Sequence, residues 1–79
     1  MKILVSFYDK NGRALLGSDG SAIFSDLKTL NGVYRRLNRW PLRPSAHSYK
    51  IFRTGHNFYD ESSYVLLAEG PISDLRKDR

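Results

Sequence analysis

Ser25-Asp26-Leu27-Lys28-Thr29-Leu30-Asn31-Gly32-Val33-Tyr34-Arg35-Arg36-Leu37-Asn38-Arg39-Trp40 decides the fold, because its apolar residues recur every three or four positions. At about 100° per residue, Leu27, Leu30, Val33, Tyr34, Leu37 and Trp40 fall within one broad arc, as on an amphipathic helix. Ser25 reads as the N-cap, its hydroxyl accepting from a free backbone N–H of the next turn, and Asp26 suits the positive end of the helix dipole. Pro41 closes the segment, since a residue before proline is pushed out of the α region. The spacing predicts one helix over residues 25–40.

Strand patterns lie on both sides of it. Lys2 to Tyr8 alternates Ile3, Val5 and Phe7 with Leu4, Ser6 and Tyr8, and its β-branched and aromatic content suits a strand. Asn11-Gly12 tolerates the positive φ of a tight hairpin turn, which returns Arg13 to Leu16 antiparallel to the first strand. Gly17-Ser18-Asp19-Gly20 is a second turn, and Ala22 to Phe24 either resumes the strand or opens the helix early. Beyond Pro41 and Pro44, Tyr49 to Thr54 is a strand, Gly55-His56-Asn57 a turn, and Ser63 to Glu69 another strand broken by Gly70-Pro71. Residues 71–79 read either as a frayed tail or as a single helical turn. The order is β-β-α-β-β, an α+β fold with a single helix packed on a three- or four-stranded antiparallel sheet, each layer burying the other's apolar side. Seventy-nine residues allow one small domain with a thin core.

Composition narrows the functional classes. There is no cysteine, which removes disulfide scaffolds, thiolate zinc sites and a Cys nucleophile. No run approaches the ~18 apolar residues of a membrane span, and the apolar stretch after Lys2 is too short for a signal peptide. A cytoplasmic protein with no membrane partner is the expectation. His47 and His56, nine apart, do not have metal-ligand spacing, and no P-loop, dinucleotide glycine motif or nucleophile elbow is present. No cofactor, no metal and no catalytic residue is assigned on these grounds.

The formal charge of +5 is local. Lys28, Arg35, Arg36, Arg39, Arg43, Lys50 and Arg53 lie in a stretch without a single Asp or Glu, whereas the other six basic residues share the chain with all eight acidic ones. Lys28, Gly32, Arg35, Arg36 and Arg39 fall on the outer arc of the helix. A neutral surface helix mixes in Glu to form i,i+4 pairs, and this one has none. Arginine also outnumbers lysine, and its planar fork suits phosphate or carboxylate. Gly32 costs about 1 kcal/mol relative to alanine in a helix interior. It either leaves room for an anion to approach the backbone between the arginines, or marks a kink at Asn31-Gly32.

These eight positions, Lys28, Gly32, Arg35, Arg36, Arg39, Arg43, Lys50 and Arg53, form the candidate binding set. The expected partner is nucleic acid, held through phosphates with little sequence preference. An acidic protein surface is the alternative. On the sheet, a Lys50-Phe52-Thr54 face beside Leu4, Ser6 and Tyr8 mixes aromatic and cationic groups on which bases could stack, and Phe58-Tyr59 is a further aromatic pair. In length and hairpin-then-helix pattern the chain resembles the small accessory proteins of phages and plasmids, including inhibitors of host defence. A vaguer likeness to small basic toxin ribonucleases directs attention to Arg53, His56 and Tyr64. An unpaired strand edge could pair two copies into a dimer.

Overall fold

The computed structural model describes residues 2–16, 20–55 and 61–76. Strand β1 (Lys2–Tyr8) and β2 (Ser21–Phe24) precede helix α1 (Leu30–Asn38), and β3 (Ser48–Thr54) and β4 (Val65–Pro71) follow it. Short 3-10 turns occupy Glu61–Ser63 and Ile72–Arg76. The strands form one antiparallel sheet in the order β2-β1-β3-β4, so the fold is α+β as the periodicities predict.

The first turn is wider than a two-residue hairpin. Among the described residues only Gly12 adopts a positive φ, +81°, so Asn11 does not share a mirror-image turn with it. Asp9 organises the loop instead: its Oδ1 accepts from the Asn11 and Arg13 N–H groups at 2.8 and 3.0 Å, and its carbonyl accepts from Gly12 at 3.0 Å. This is the geometry of a three-residue loop with glycine in the left-handed position. The Arg13 and Asn11 bonds hold the Asp9 carboxyl below the usual carboxylate range, against the opposing effect of its partial desolvation. The returning chain makes one bridge, Ala14 with Tyr8, and a bond from Leu15 N–H to the Phe7 carbonyl. Pairing then resumes beyond residues 17–19, with Ser6 opposite Ser21 and Ile3 opposite Phe24.

That pairing corrects the start of the helix. Phe24 is buried at the end of β2, so Ser25 cannot cap a helix and residues 25–29 carry the chain from the sheet edge to α1. Thr29 is the N-cap, extended at φ −129° and ψ 153°, and its Oγ1 accepts from the Gly32 N–H at 3.1 Å. Leu27 and Lys28 therefore precede the helix. No kink occurs at Asn31-Gly32, because Gly32 lies in the first turn of a helix that runs unbroken to Asn38. The helix ends in tightened bonds, Arg39 N–H to the Arg36 carbonyl and Trp40 N–H to that of Leu37, immediately before Pro41.

Strand parity places the core. Ile3, Val5 and Phe7 of β1, Ala22 and Phe24 of β2, and Tyr49 and Ile51 of β3 meet Val33 and Leu37 of the helix. Phe24 packs edge-on against Trp40, and Tyr49 edge-on against Tyr34, with the two phenol oxygens 3.0 Å apart. Burial, together with the Tyr34 hydroxyl, raises the ionisation of Tyr49 well above the ordinary phenol range.

In the C-terminal part, one expectation is corrected and one alternative, the single helical turn, is realised. Gly70-Pro71 does not break the last strand, since β4 runs to Pro71, which pairs with Ser48. Proline is tolerated because β4 is an edge and its missing N–H is not needed there. Residues 72–76 are not frayed. Leu75 is only 1% exposed and joins the core, and the Ile72 N–H reaches the His47 carbonyl at 2.9 Å. Of the proposed tail, residues 77–79 lie outside the described residues. The β3–β4 ladder shifts register between Ile51 and Phe52, leaving Leu67 as an extra residue between Leu66 and Ala68.

Candidate functional site

The outer side of α1 forms a shallow recess of about 970 Å³, lined by Leu27, Asn31, Gly32, Tyr34, Arg35, Arg36, Asn38 and Arg39. Three arginines converge there and no acidic residue lines it. Gly32 forms the gap between them. A Cβ at this position would stand 3.3 Å from Thr29 Oγ1 and 3.6 Å from Leu27 Cδ2, so the glycine keeps the backbone open over the first turn.

The arginines are not equivalent. Arg36 donates to Asp26 Oδ2 at 3.0 Å and lies over the Phe24 ring at 5.4 Å. The Arg36 bond is the main reason that the Asp26 carboxyl is held below its ordinary range. Both side chains are substantially exposed, so water and salt screen the pair and it can open toward a stronger anion. Among the described residues, the side chains of Arg35 and Arg39 make no hydrogen bond or ion pair. They are the recess's uncommitted cations.

The other basic residues do not share this surface. Lys28 and Arg53 line a separate slot of about 220 Å³ beside the start of the helix, with Ile3, Leu27, Thr29, Leu30, Val33 and Leu67. Arg43 reaches back to the Leu16 carbonyl at 2.8 Å and ties the proline-containing connection to the first loop. Lys50 is on the far face of the sheet, opposite Ser6 and Glu69, with Nζ 5.2 Å from the Tyr8 ring centroid. The acid-free stretch is thus divided between two sides of the molecule. Alternation within β3 already separates Lys50 from Arg53, and that was the signal for it.

The far sheet face carries an apolar row across all four strands: Ile23, Leu4, Phe52 and Leu66, in register. Ile23 and Leu66 are nearly half exposed, whereas Leu4 is covered. Tyr64 leans on Phe52 with ring centroids 5.9 Å apart. Thr54 is buried, with its hydroxyl on the Lys2 carbonyl, and so is not part of an open platform.

Of the ribonuclease trio, the two described residues lie on opposite faces of the sheet. Arg53 faces the helix side, while Tyr64 sits on Phe52 at the opposite face; His56 lies outside the described residues, as do Phe58 and Tyr59. His47 is exposed, and among the described residues no cluster of three metal-ligating side chains occurs. Among them, too, no helix is long and apolar enough to cross a membrane. Compared with known proteins, the chain matches no family model, no curated protein and no solved structure.

Proposed function

We propose that this protein binds nucleic acid through the outer face of α1, with backbone phosphates seated between Arg35, Arg36 and Arg39. The observation that carries the reading is the acid-free recess around Gly32, where a phosphate can approach the helix backbone with arginine forks on either side. The recess is shallow and dominated by guanidinium forks, which favours contact with the phosphate backbone and little sequence preference.

Neutralising about three phosphates gives a slope of log K against log salt near −2.7 for duplex DNA. Fluorescence anisotropy with labelled duplex and single-stranded oligonucleotides over a salt series measures it. The double variant Arg35→Glu/Arg39→Glu, at two exposed positions whose side chains have no partner among the described residues, abolishes binding in this reading. Lys50→Glu, on the far sheet face, leaves it nearly unchanged. Salt-independent affinity, or binding that survives the double reversal, removes the proposal.

The guanidinium forks of Arg35 and Arg39 suit carboxylates as well as phosphates, which favours a second reading. There the same arginines dock on an acidic protein surface, as an inhibitor would. A discrete partner retained from nuclease-treated lysate, and lost with the Arg35→Glu/Arg39→Glu variant, selects this reading over the first.

A further inference from the structure

The slot beside the start of α1 combines two properties that the helix-face reading does not use. Its walls are aliphatic, with fully buried Val33 and nearly buried Ile3 inside and Leu30 and Leu67 each about a third exposed at the opening. Its rim holds two exposed cations, Lys28 and Arg53, whose side chains have no hydrogen-bond or ion-pair partner among the described residues. No acidic side chain lines it. The register shift in β4 supplies the wall, because the extra residue Leu67 lines the slot beside Leu30 and Arg53.

We propose that this slot binds an aliphatic carboxylate, its hydrocarbon part between Leu30 and Leu67 and its carboxylate between Lys28 and Arg53. Size supports a single short chain. At about 220 Å³ the slot is smaller than the roughly 300–1,000 Å³ of sites for drug-sized molecules, so it takes one acyl chain or one apolar side chain. Charge supports the headgroup. Two like charges at one rim repel each other, and one carboxylate relieves both, with the arginine fork able to hold it bidentately. A free short-chain acid and the C-terminal residue of a peptide, such as a terminal leucine, both present this chemistry.

Methyl-detected NMR titration of the full chain tests the proposal. Butanoate, hexanoate and octanoate serve as probes, with hexylamine and 1-hexanol as controls. Saturable shifts are expected at Ile3, Leu30, Val33 and Leu67, with affinity rising about fourfold per methylene and then levelling as the slot fills. Arg53→Gln and Lys28→Gln each weaken hexanoate about two- to fivefold, as loss of one exposed charge contact does. Leu67→Asn removes the chain-length dependence. Arg35→Glu/Arg39→Glu leaves hexanoate binding unchanged, so the slot stands or falls apart from the nucleic-acid reading. A leucine-terminated peptide that binds more tightly than hexanoate, and loses affinity on C-terminal amidation, identifies a protein terminus as the source. Binding of hexanoate but not of the peptide identifies a small acid. Equal shifts from hexylamine and hexanoate, or no saturable shift with any of the acids, overturns the proposal.

Discussion

Gly32→Ala separates stability from binding at the centre of the recess. In a helix interior, alanine is favoured over glycine by about 1 kcal/mol. Gly32 is the third helical residue rather than a central one, and its φ is not in the left-handed region, so part of that gain applies. Against it stands one tight contact, the added methyl 3.3 Å from Thr29 Oγ1, the same oxygen that accepts the Gly32 N–H at 3.1 Å. Thr29 has to give by a few tenths of an ångström, and as an exposed side chain at the helix entry it has room to do so. The net gain is about 0.5 kcal/mol, a rise in Tm of about 2–4 °C for a domain of this size. The methyl stands beside Thr29 and Leu27 at the floor of the recess, in the path of a phosphate approaching the backbone. Displacing one phosphate contact reduces the salt slope by about one unit and weakens binding at fixed salt. Thermal melts followed by circular dichroism and anisotropy titrations on the same preparation read both quantities. A fall in Tm shows that the glycine serves the Thr29 cap and not the recess. Unchanged affinity in a stabilised variant shows that no ligand approaches the backbone there.

Leu75→Ala tests the C-terminal turn. Truncating a leucine that is 1% exposed costs about 2–3 kcal/mol, toward the low end of such substitutions because a terminal turn can settle into the space. The expected drop in Tm is about 10–20 °C, against almost none for exposed Ser73→Ala; equal effects of the two would mean that the turn does not close the core. Alkaline pH tests Tyr49. Burial raises its folded-state ionisation above the ordinary phenol value of about 10, so its contribution is fully present below pH 10. It is lost as pH climbs from there toward the raised value, because the unfolded chain releases the proton first. Urea midpoints between pH 8 and 11 should fall more steeply for the wild type than for Tyr49→Phe, and parallel curves would contradict the burial.

Periodicity was sufficient for the layers and insufficient for the joints. Alternation in β1 and β3 and three-and-four spacing in α1 correctly place Ile3, Val5, Phe7, Tyr49, Ile51, Val33 and Leu37 in one core. The helix start was ambiguous locally, since Ser25 and Thr29 are both good caps. The choice between them is made by Phe24, whose burial beneath Trp40 is a long-range contact that no local rule contains. Leu75 was similarly disguised by its polar neighbours Ser73 and Asp74, although Ile72 and Leu75 at a spacing of three do form a one-turn apolar face. At the candidate site, the helix wheel puts Lys28, Gly32, Arg35, Arg36 and Arg39 on one arc; the last four line one recess, whereas Lys28 precedes the helix. The Asp26 partner of Arg36 was misplaced because it was assigned to the helix's own first turn. The slot was invisible, because it depends on the bulge at Leu67 and nothing in Val65-Leu66-Leu67-Ala68 announces a register shift.

The position of β1 between β2 and β3 also orders the events of folding during synthesis. Ile3 and Phe24 are 21 residues apart in sequence, while Phe7 and Tyr49 are 42 apart. Doubling the loop costs only about 0.6 kcal/mol more in closure entropy, so neither pairing is excluded by chain length. Availability separates them instead. The β1–β2 hairpin can form as soon as Phe24 emerges, but one edge of β1 stays unpaired until residues 48–54 are made, and the core lacks its last side chain until Leu75 follows. A ribosome-stalled series ending at successive positions should therefore gain protease resistance in a late step after Leu75, with an exposed edge of β1 as the hazard during the wait.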